Sequence, residues 1–252
     1  MQKYSIFNLI KNAFSGHQKW DLAWKDATPK KEYDVVIIGG GGHGLATAYY
    51  LAKEHNITNV AIIEKGWLGG GNMGRNTTII RSNYMHDDNA LFSEFGMDLW
   101  RRMSQDLNYN VMFSPRGIIN LAHSDAQMNV FARRGNSMRL NGIDAVLLNR
   151  EEVKEIIPMA DFSENVRFPI FGGLMQPSAG TARHDAVAWG YARQADSMGV
   201  DIIQNCEVTG FDVLGGKING VRTSRGDIKV KKIGLCVAGS TNILAEKLNM
   251  TI

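Results

Sequence analysis

Short apolar runs and helix-spaced apolar residues alternate along this chain. The first clear run is Val35 to Ile38, four consecutive apolar β-formers after Tyr33-Asp34. Such a run is typical of a strand buried on both faces, as in a parallel sheet. Residues of helical composition follow from Leu45 to Lys53, and Asn59 to Ile63 is predicted to be a second buried strand. This order predicts two parallel strands joined by a helix.

The same periodicities predict further elements downstream. Apolar residues at helical spacing predict helices over 88–103, 124–141, 149–157, 184–198 and 241–248. Strand patterns cover 117–122, 200–204, 207–213, 217–223, 227–230 and 232–237. The ranges 217–223 and 227–230 alternate like a hairpin, whereas 232–237 is predicted to be a separate buried strand.

Three segments carry more specific signals. The apolar positions of the 88–103 helix are Leu91, Phe92, Phe95, Leu99 and Met103. Asn149 and Glu152 stand at the two positions of a capping box, which predicts that a helix begins there. Residues 166–176 contain Pro169 and a Gly-Gly pair, so short strands and turns are expected there.

A glycine motif lies between the first strand and its helix. Gly39, Gly41 and Gly44 follow the pattern GxGxxG, and Glu64 ends the second strand. The first glycine permits a tight turn, the second lets a pyrophosphate approach the backbone, and the third lets the helix pack close to the strand. Glu64 stands where a carboxylate binds a ribose hydroxyl and disfavours a 2′-phosphate, so NADP is not expected. The unit alone does not separate NAD from FAD, and the alternative is a glycine-rich turn without a ligand.

Two stretches beyond Glu64 hold candidate chemistry. Residues 65–78 combine glycines with Asn, Arg and Thr, which suits either a ligand-wrapping loop or a plain flexible loop. Arg81 follows this loop, and a guanidinium so placed is a candidate for binding a carboxylate. His184 stands in the first turn of a predicted helix. From spacing alone, an ion-paired surface Arg81 and a solvated His184 are the favoured interpretations.

Composition excludes several classes of protein. The 252 residues suffice for one large or two modest domains, and the net charge of +3 comes from interleaved acids and bases. The sequence contains no long basic block of the kind that indicates a nucleic-acid partner. Cys206 and Cys236 lack CxxC spacing, which suits a reducing compartment, offers no metal site and predicts two half-buried thiols.

The N-terminal residues predict an amphipathic arm. Ile6, Leu9, Ile10 and Phe14 recur at helical spacing within residues 1–16, so the arm either packs on the body or meets a partner. The segment lacks the unbroken apolar centre of a secretory signal, and no stretch approaches the roughly 20 apolar residues of a membrane span. A cytoplasmic protein without membrane contact is therefore expected.

Longer blocks of sequence resemble a known family. The blocks YDVVIIGGGGHGLATAYYLAKEH, IIEKGWLGGGNMGRNTTIIRSNY, QPSAGTARHDAVAWGYARQADSMGVDIIQNCEVTGF and LCVAGSTNILAE are similar to the beta subunits of heterotetrameric sarcosine oxidases, which are D-amino-acid-oxidase-like flavoproteins. The resemblance extends from about residue 30 to residue 252. RNTTIIRSNY and TARHDAVAW are specific to the subfamily, whereas many families share the glycine motif.

The resemblance implies cofactors and roles for particular residues. Non-covalent FAD would be bound by Gly39, Gly41, Gly42, His43, Gly44, Glu64, Lys65, Asn72, Arg75, Thr77, Ile79 and the backbone of Val208. FMN would be attached covalently to His184, and Arg81 would hold the carboxylate of sarcosine, so both interpretations from spacing are reversed. The implied reaction is oxidative demethylation of sarcosine to glycine, with electrons passing through FMN to O₂ to give hydrogen peroxide, in a hetero-oligomer with the other subunits.

The resemblance and the patterns together predict an α/β fold. A Rossmann-like FAD-binding domain with a parallel central sheet and a β-meander is expected from residues 33–82 and 178–252. A smaller, incomplete α+β substrate domain is expected from 83–177, after an N-terminal arm at 1–32. Since family members are longer, the chain is expected to be a fragment. The alternatives are a related FAD-dependent amine or amino-acid dehydrogenase and a flavin-binding subunit without activity of its own.

Overall fold

The computed structural model describes residues 6–18, 22–163 and 165–251, so residues 1–5 and 19–21 of the predicted arm lie outside it. The chain divides into two compact units. The first comprises residues 1–75 and 184–252, and the second comprises residues 76–183. These limits and the predicted domain limits, at 82/83 and 177/178, differ by several residues.

The helices and strands follow the predicted order closely. The helices are α1 (Ile6–Phe14), α2 (Gly42–His55), α3 (Asp87–Asp106), α4 (Asp125–Leu140), α5 (Arg150–Ile156), α6 (His184–Ser197) and α7 (Thr241–Glu246). The strands are β1 (Glu32–Ile38), β2 (Val60–Ile63), β3 (Ile79–Ile80), β4 (Ile118–Ala122), β5 (Val146–Asn149), β6 (Gly172–Gln176), β7 (Gly180–Thr181), β8 (Asp201–Ile203), β9 (Val208–Leu214), β10 (Lys217–Thr223) and β11 (Gly226–Leu235). Of these, β3, β5 and β7 were not predicted.

One mixed sheet organises the first unit. Its strand order is β8-β2-β1-β11-β10-β9. β8, β2, β1 and β11 are parallel, and β11, β10 and β9 form an antiparallel meander. Val36 and Ile38 are buried in a core that also contains residues of β2, β8 and the meander, because a parallel strand is covered on both faces. The predicted α/β fold, with its parallel central sheet and meander, is confirmed.

Strand β11 corrects one prediction. The ranges 227–230 and 232–237 were predicted to be separate strands, but Gly226–Leu235 is one continuous strand. Its first half pairs with β10 and its second half pairs with β1, and residues 233–237 are half-buried rather than buried. Sequence patterns identify both halves as strands but carry no signal that the chain continues straight between them.

The second unit is a smaller α+β structure. Its strands form an antiparallel sheet of order β4-β6-β5 and a short β3-β7 pair. Helix α5 begins at the predicted capping box, since Asn149 Oδ1 accepts from Glu152 N at 3.0 Å and Glu152 Oε2 accepts from Asn149 N at 2.7 Å. Two small apolar clusters, around Leu174 and around Val153, form its core.

Helix α3 confirms the predicted helix but not the face expected to be buried. Leu91, Phe92 and Phe95 are exposed, whereas the buried residues of α3 are Ala90, Met97 and Met103. Phe92 is 80% exposed. Periodicity therefore located the helix correctly, although only Met103 of the five predicted apolar positions is buried, and Leu91, Phe92 and Phe95 are exposed.

Helix α1 forms where the amphipathic arm was predicted. Its described residues include no buried side chain, and Phe14 is 91% exposed. Across residues 6–18, 22–163 and 165–251, no helix combines the length and apolar character needed to cross a membrane.

Candidate functional site

The glycine turn between β1 and α2 has the geometry of a ligand cradle. Gly39 adopts φ +109°, and a Cβ there would lie 2.3 Å from the carbonyl oxygen of Cys236. A Cβ on Gly44 would lie 2.0 Å from the oxygen of Gly39, so helix and strand approach closely only because this residue is glycine. A Cβ on Gly41 would meet nothing within 4 Å. Gly39 thus makes the tight turn, Gly41 leaves room for a ligand to approach the backbone, and Gly44 allows the helix to pack close to the strand.

The N-terminus of α2 faces this open position. Gly41 is the N-cap, no side chain caps the helix, and its first turn holds no acidic residue. The first amide groups of a helix without a capping side chain are suitable donors to a phosphate. Gly42 and the exposed His43 complete this turn. The cradle therefore fits a pyrophosphate, which needs backbone donors and no Cβ in its path.

Glu64 lies directly beside the glycine turn. Its Oε2 accepts from Gly40 N at 2.8 Å, and its Oε1 accepts from Gly66 N at 2.9 Å. These bonds orient the half-buried carboxylate and leave further lone pairs for a hydroxyl group. Asn205 N and Cys206 N donate to the carbonyl oxygens of Gly66 and Glu64, so the segment leading to Val208 runs beside the backbone of Glu64. Glu64 and the approach to Val208 are therefore together, as the implied FAD site requires.

The loop after Glu64 contains one short helix. Asn72–Arg75 forms a 3-10 helix, and Lys65, Asn72 and Arg75 are exposed. Thr77 and Ile79 belong to the second compact unit, where both are exposed. Each of these residues has a side chain accessible to a ligand.

Arg81 lies just after β3 in the second unit. Its guanidinium is half-buried, Nη1 donates to Asn83 Oδ1, and Cζ lies 4.9 Å from the centre of the Tyr84 ring. Among the residues the structure describes, no carboxylate lies within 4.0 Å of it. The ion-paired surface Arg81 favoured by spacing alone is therefore not observed, and the guanidinium retains capacity for an anion.

A buried polar network holds the backbone around Arg81, and sequence reasoning did not identify it. Ser82, Asn83 and Gln176 are at most 1% exposed. Ser82 N donates to Gln176 Oε1 at 3.0 Å, and Gln176 Nε2 donates to Ser82 Oγ at 2.7 Å. Asn83 Nδ2 donates to Asn120 Oδ1 at 2.7 Å. The one available signal was a polar residue within an apolar strand, at Asn120 and at Gln176.

His184 is the first residue of α6, as predicted. The residue is half-buried rather than fully on the surface, and its Nδ1 is a buried atom with no hydrogen-bond partner among the described groups. A buried ring nitrogen without a partner is unfavourable and calls for a physical explanation. The orphaned nitrogen is compatible with a group that attaches to or contacts this ring.

These features define the class of protein. Residues 34–252 match the family described as FAD dependent oxidoreductase, and the chain belongs to that family. The glycine cradle, the oriented Glu64 and the mixed sheet fit the FAD on which this family depends.

Comparison with individual proteins narrows the class. The chain is 56% identical to sarcosine oxidase subunit beta of Rhizobium meliloti over 250 residues, covering 99% of this chain and 60% of that protein. It is 54% identical to the subunit of the same name from an Arthrobacter species, covering 90% of this chain and 56% of that protein. The chain thus spans less than two thirds of the length of these relatives.

Solved structures share the fold. L-proline dehydrogenase from P. horikoshii superposes with a TM-score of 0.81 at 26% identity, covering 88% of this chain and 57% of that one. L-amino acid deaminase from Proteus myxofaciens superposes with a TM-score of 0.80 at 22% identity, covering 93% and 52%. At 22% identity, the likeness to the deaminase concerns the fold alone.

Proposed function

We propose that this chain forms the flavin-binding part of a sarcosine oxidase beta subunit. The reaction converts sarcosine, water and O₂ into glycine, a one-carbon unit at the oxidation level of formaldehyde, and hydrogen peroxide. The observation that carries the proposal is the 56% identity over 99% of the chain to a subunit of that name. The open glycine cradle supports it independently, and so does Arg81, which has no carboxylate within 4.0 Å among the described residues.

Non-covalent FAD is proposed to bind along the glycine turn and the loop beyond it. The backbone at Gly41 to Gly44 and the N-terminus of α2 would donate to the pyrophosphate. Glu64 would accept from the adenosine ribose, because Gly40 and Gly66 already hold its carboxylate in place. Lys65, Asn72, Arg75, Thr77, Ile79 and the backbone of Val208 would supply the remaining contacts.

Arg81 is proposed to bind the carboxylate of sarcosine. A guanidinium matches a carboxylate with two parallel hydrogen bonds, and the other N–H groups of Arg81 have no acceptor among the described residues. Holding the carboxylate fixes the amino acid while its N-methyl group reacts. The bound flavins would supply the redox chemistry, taking a hydride equivalent from the N-methyl carbon and delivering electrons to O₂.

His184 is proposed to carry FMN covalently. Its Nδ1 has no hydrogen-bond partner within the described part of the chain, so no neighbouring protein group competes for that nitrogen. The partly accessible ring would allow another subunit to complete the FMN site. Partner subunits are expected because the similar proteins are named as subunits.

Mass spectrometry of the denatured protein tests the covalent assignment. We expect a peptide containing His184 to carry the mass of FMN, while FAD is released on denaturation. Oxygen uptake with sarcosine, measured with and without partner subunits, tests the activity. A bare His184 peptide from protein that oxidises sarcosine would contradict the covalent assignment, and absence of sarcosine oxidation by the assembled protein would contradict the function.

A second candidate is a related FAD-dependent amine or amino-acid dehydrogenase. The superposition on L-proline dehydrogenase favours it, with a TM-score of 0.81 at 26% identity. Turnover of L-proline with an artificial electron acceptor, and no turnover of sarcosine, would support this candidate. A flavin spectrum without turnover, restored by partner subunits, would instead indicate a flavin-binding subunit without independent activity.

A further inference from the structure

We propose that Arg134 is a positioning residue for the substrate carboxylate, because it holds Asn83 by its carbonyl oxygen and Asn83 in turn fixes the guanidinium of Arg81. The inference rests on the proposed role of Arg81 and adds a residue that acts on that site through Asn83.

The contact between Arg134 and Asn83 is made by two donors. Arg134 lies on α4, and its Nε donates to Asn83 O at 2.7 Å while its Nη2 donates to the same oxygen. Two N–H groups on one carbonyl oxygen restrict both the guanidinium and the peptide it holds. Because these donors face the backbone of Asn83, Arg134 acts on Arg81 through Asn83.

The side chain of Asn83 transmits this position to Arg81. Asn83 Oδ1 accepts from Arg81 Nη1, and Asn83 Nδ2 donates to Asn120 Oδ1 at 2.7 Å. The amide is 1% exposed and has a partner at each end, which determines which way it faces. Arg81 is therefore held through one nitrogen, and its Nε and Nη2 remain for a carboxylate.

The charges around Arg81 and Arg134 also favour an anion. Burial lowers the pKa of Arg134, the positive charge of Arg81 lowers it further, and Tyr84 acts in the opposite direction. Within 6–18, 22–163 and 165–251, neither guanidinium has a carboxylate within 4.0 Å. Two neighbouring cations without a counter-ion repel each other, so a bound carboxylate relieves this repulsion.

Two substitutions separate position from charge. Arg134→Gln removes both, whereas Arg134→Lys keeps the charge but cannot donate two fixed N–H groups to one oxygen. In the flavin-loaded enzyme assembled with its partner subunits, we expect both variants to raise the KM for sarcosine between roughly tenfold and a hundredfold, the ratio that corresponds to one charge-assisted hydrogen bond. The inhibition constant of acetate should rise in parallel, with kcat and flavin content retained. Arg133→Gln, at the exposed neighbouring position, is the matched control and should change neither constant.

Each possible result supports or overturns the positioning role of Arg134. If Arg134→Lys binds sarcosine and acetate like the unmodified enzyme, charge alone is sufficient and the positioning role is wrong. Equal losses of kcat, flavin content and acetate binding would indicate a purely structural residue and overturn the proposal.

If Arg134→Gln fails to fold, Asn120→Ala provides a second test, because it frees the other end of Asn83 and should weaken acetate binding in the same way. Unchanged acetate binding in Asn120→Ala overturns the proposal. If Arg81→Lys leaves acetate inhibition unchanged, the proposed function of Arg81 fails separately.

Discussion

At the scale of single residues, side-chain atoms that already have partners determine which atoms remain for ligands. Glu64 uses both carboxylate oxygens to accept from backbone amides, and Arg81 uses one guanidinium nitrogen to donate to Asn83. Both groups are therefore oriented before a ligand arrives, which lowers the entropic cost of binding it.

Glu64→Gln is expected to weaken FAD binding by about 1.5–3 kcal/mol, the value of one charge-assisted hydrogen bond. It should also lower the melting temperature of the FAD-free protein. The new amide NH₂ must face the N–H of either Gly40 or Gly66, where an oxygen accepts now. Flavin fluorescence titration and thermal melts measure the two effects, with the exposed Glu155→Gln as control. FAD affinity that does not change in a folded variant would remove Glu64 from the site.

Arg81→Lys is expected to raise the KM for sarcosine in the assembled enzyme before FAD content changes. Lysine keeps the charge but lacks the planar fork that binds a carboxylate through two bonds and holds Asn83. Steady-state kinetics and flavin absorbance provide the two readouts. Arg102→Lys, on the exposed surface of α3, is the matched control. Loss of flavin with an unchanged KM would instead place Arg81 among the cofactor contacts.

At the scale of elements, the approach of β1 to α2 depends on residues without a Cβ. The same turn contains one glycine that packing requires and one that faces open space. This contrast allows the requirements of the fold and of the ligand to be tested separately.

Gly44→Ala is expected to destabilise the fold, because its methyl group would lie 2.0 Å from the carbonyl oxygen of Gly39. Gly41→Ala should leave the stability of the FAD-free protein nearly unchanged, since φ −86° is accessible to alanine and its methyl meets nothing within 4 Å. FAD affinity should nevertheless fall in Gly41→Ala, because the methyl occupies the space proposed for the pyrophosphate. Chemical denaturation and FAD titration of both variants measure this. Full FAD affinity in Gly41→Ala would argue against a pyrophosphate at this turn.

At the scale of the whole molecule, each compact unit holds its own candidate group. The first unit contains the glycine cradle, Glu64 and His184, and the second contains Arg81 with its polar network. Substitutions of Glu64 or His184 are therefore expected to change cofactor content, and substitutions of Arg81 are expected to change substrate affinity.

His184→Asn is expected to abolish covalent FMN while non-covalent FAD remains. Asparagine cannot form the linkage, and His184 lies apart in sequence from the glycine turn that supports FAD. Denaturing mass spectrometry measures the bound FMN, and the flavin released into the supernatant measures FAD. His123→Asn is a suitable control because that ring contacts the carbonyl oxygen of Pro169 and the ring of Phe168 within the second unit. FMN that stays attached after His184→Asn would show that another residue carries the linkage.

Local patterns in the sequence determined most of the elements of this chain and the glycine cradle. A buried parallel strand, a GxGxxG turn and a helix are encoded within the continuous segment 32–55, so spacing alone identifies them. The capping box at Asn149 is equally local, and it is present in the structure. The resemblance to known flavoproteins then supplied roles for Arg81 and His184 that spacing had disfavoured.

Only the tertiary structure decided which of these residues meet, and what surrounds them. Arg134 and Asn83 are 51 positions apart, and Ser82 and Gln176 are 94 apart, so no periodicity links them. Helical spacing in α3 likewise could not show that Phe92 faces outward, because an apolar stripe indicates a helix but not which neighbour covers it. Strand patterns also left β11 divided in two, because its continuity depends on pairing with β10 on one side and with β1 on the other. The environment of Arg81 therefore depends on long-range contacts and burial. Local sequence does not encode either of them.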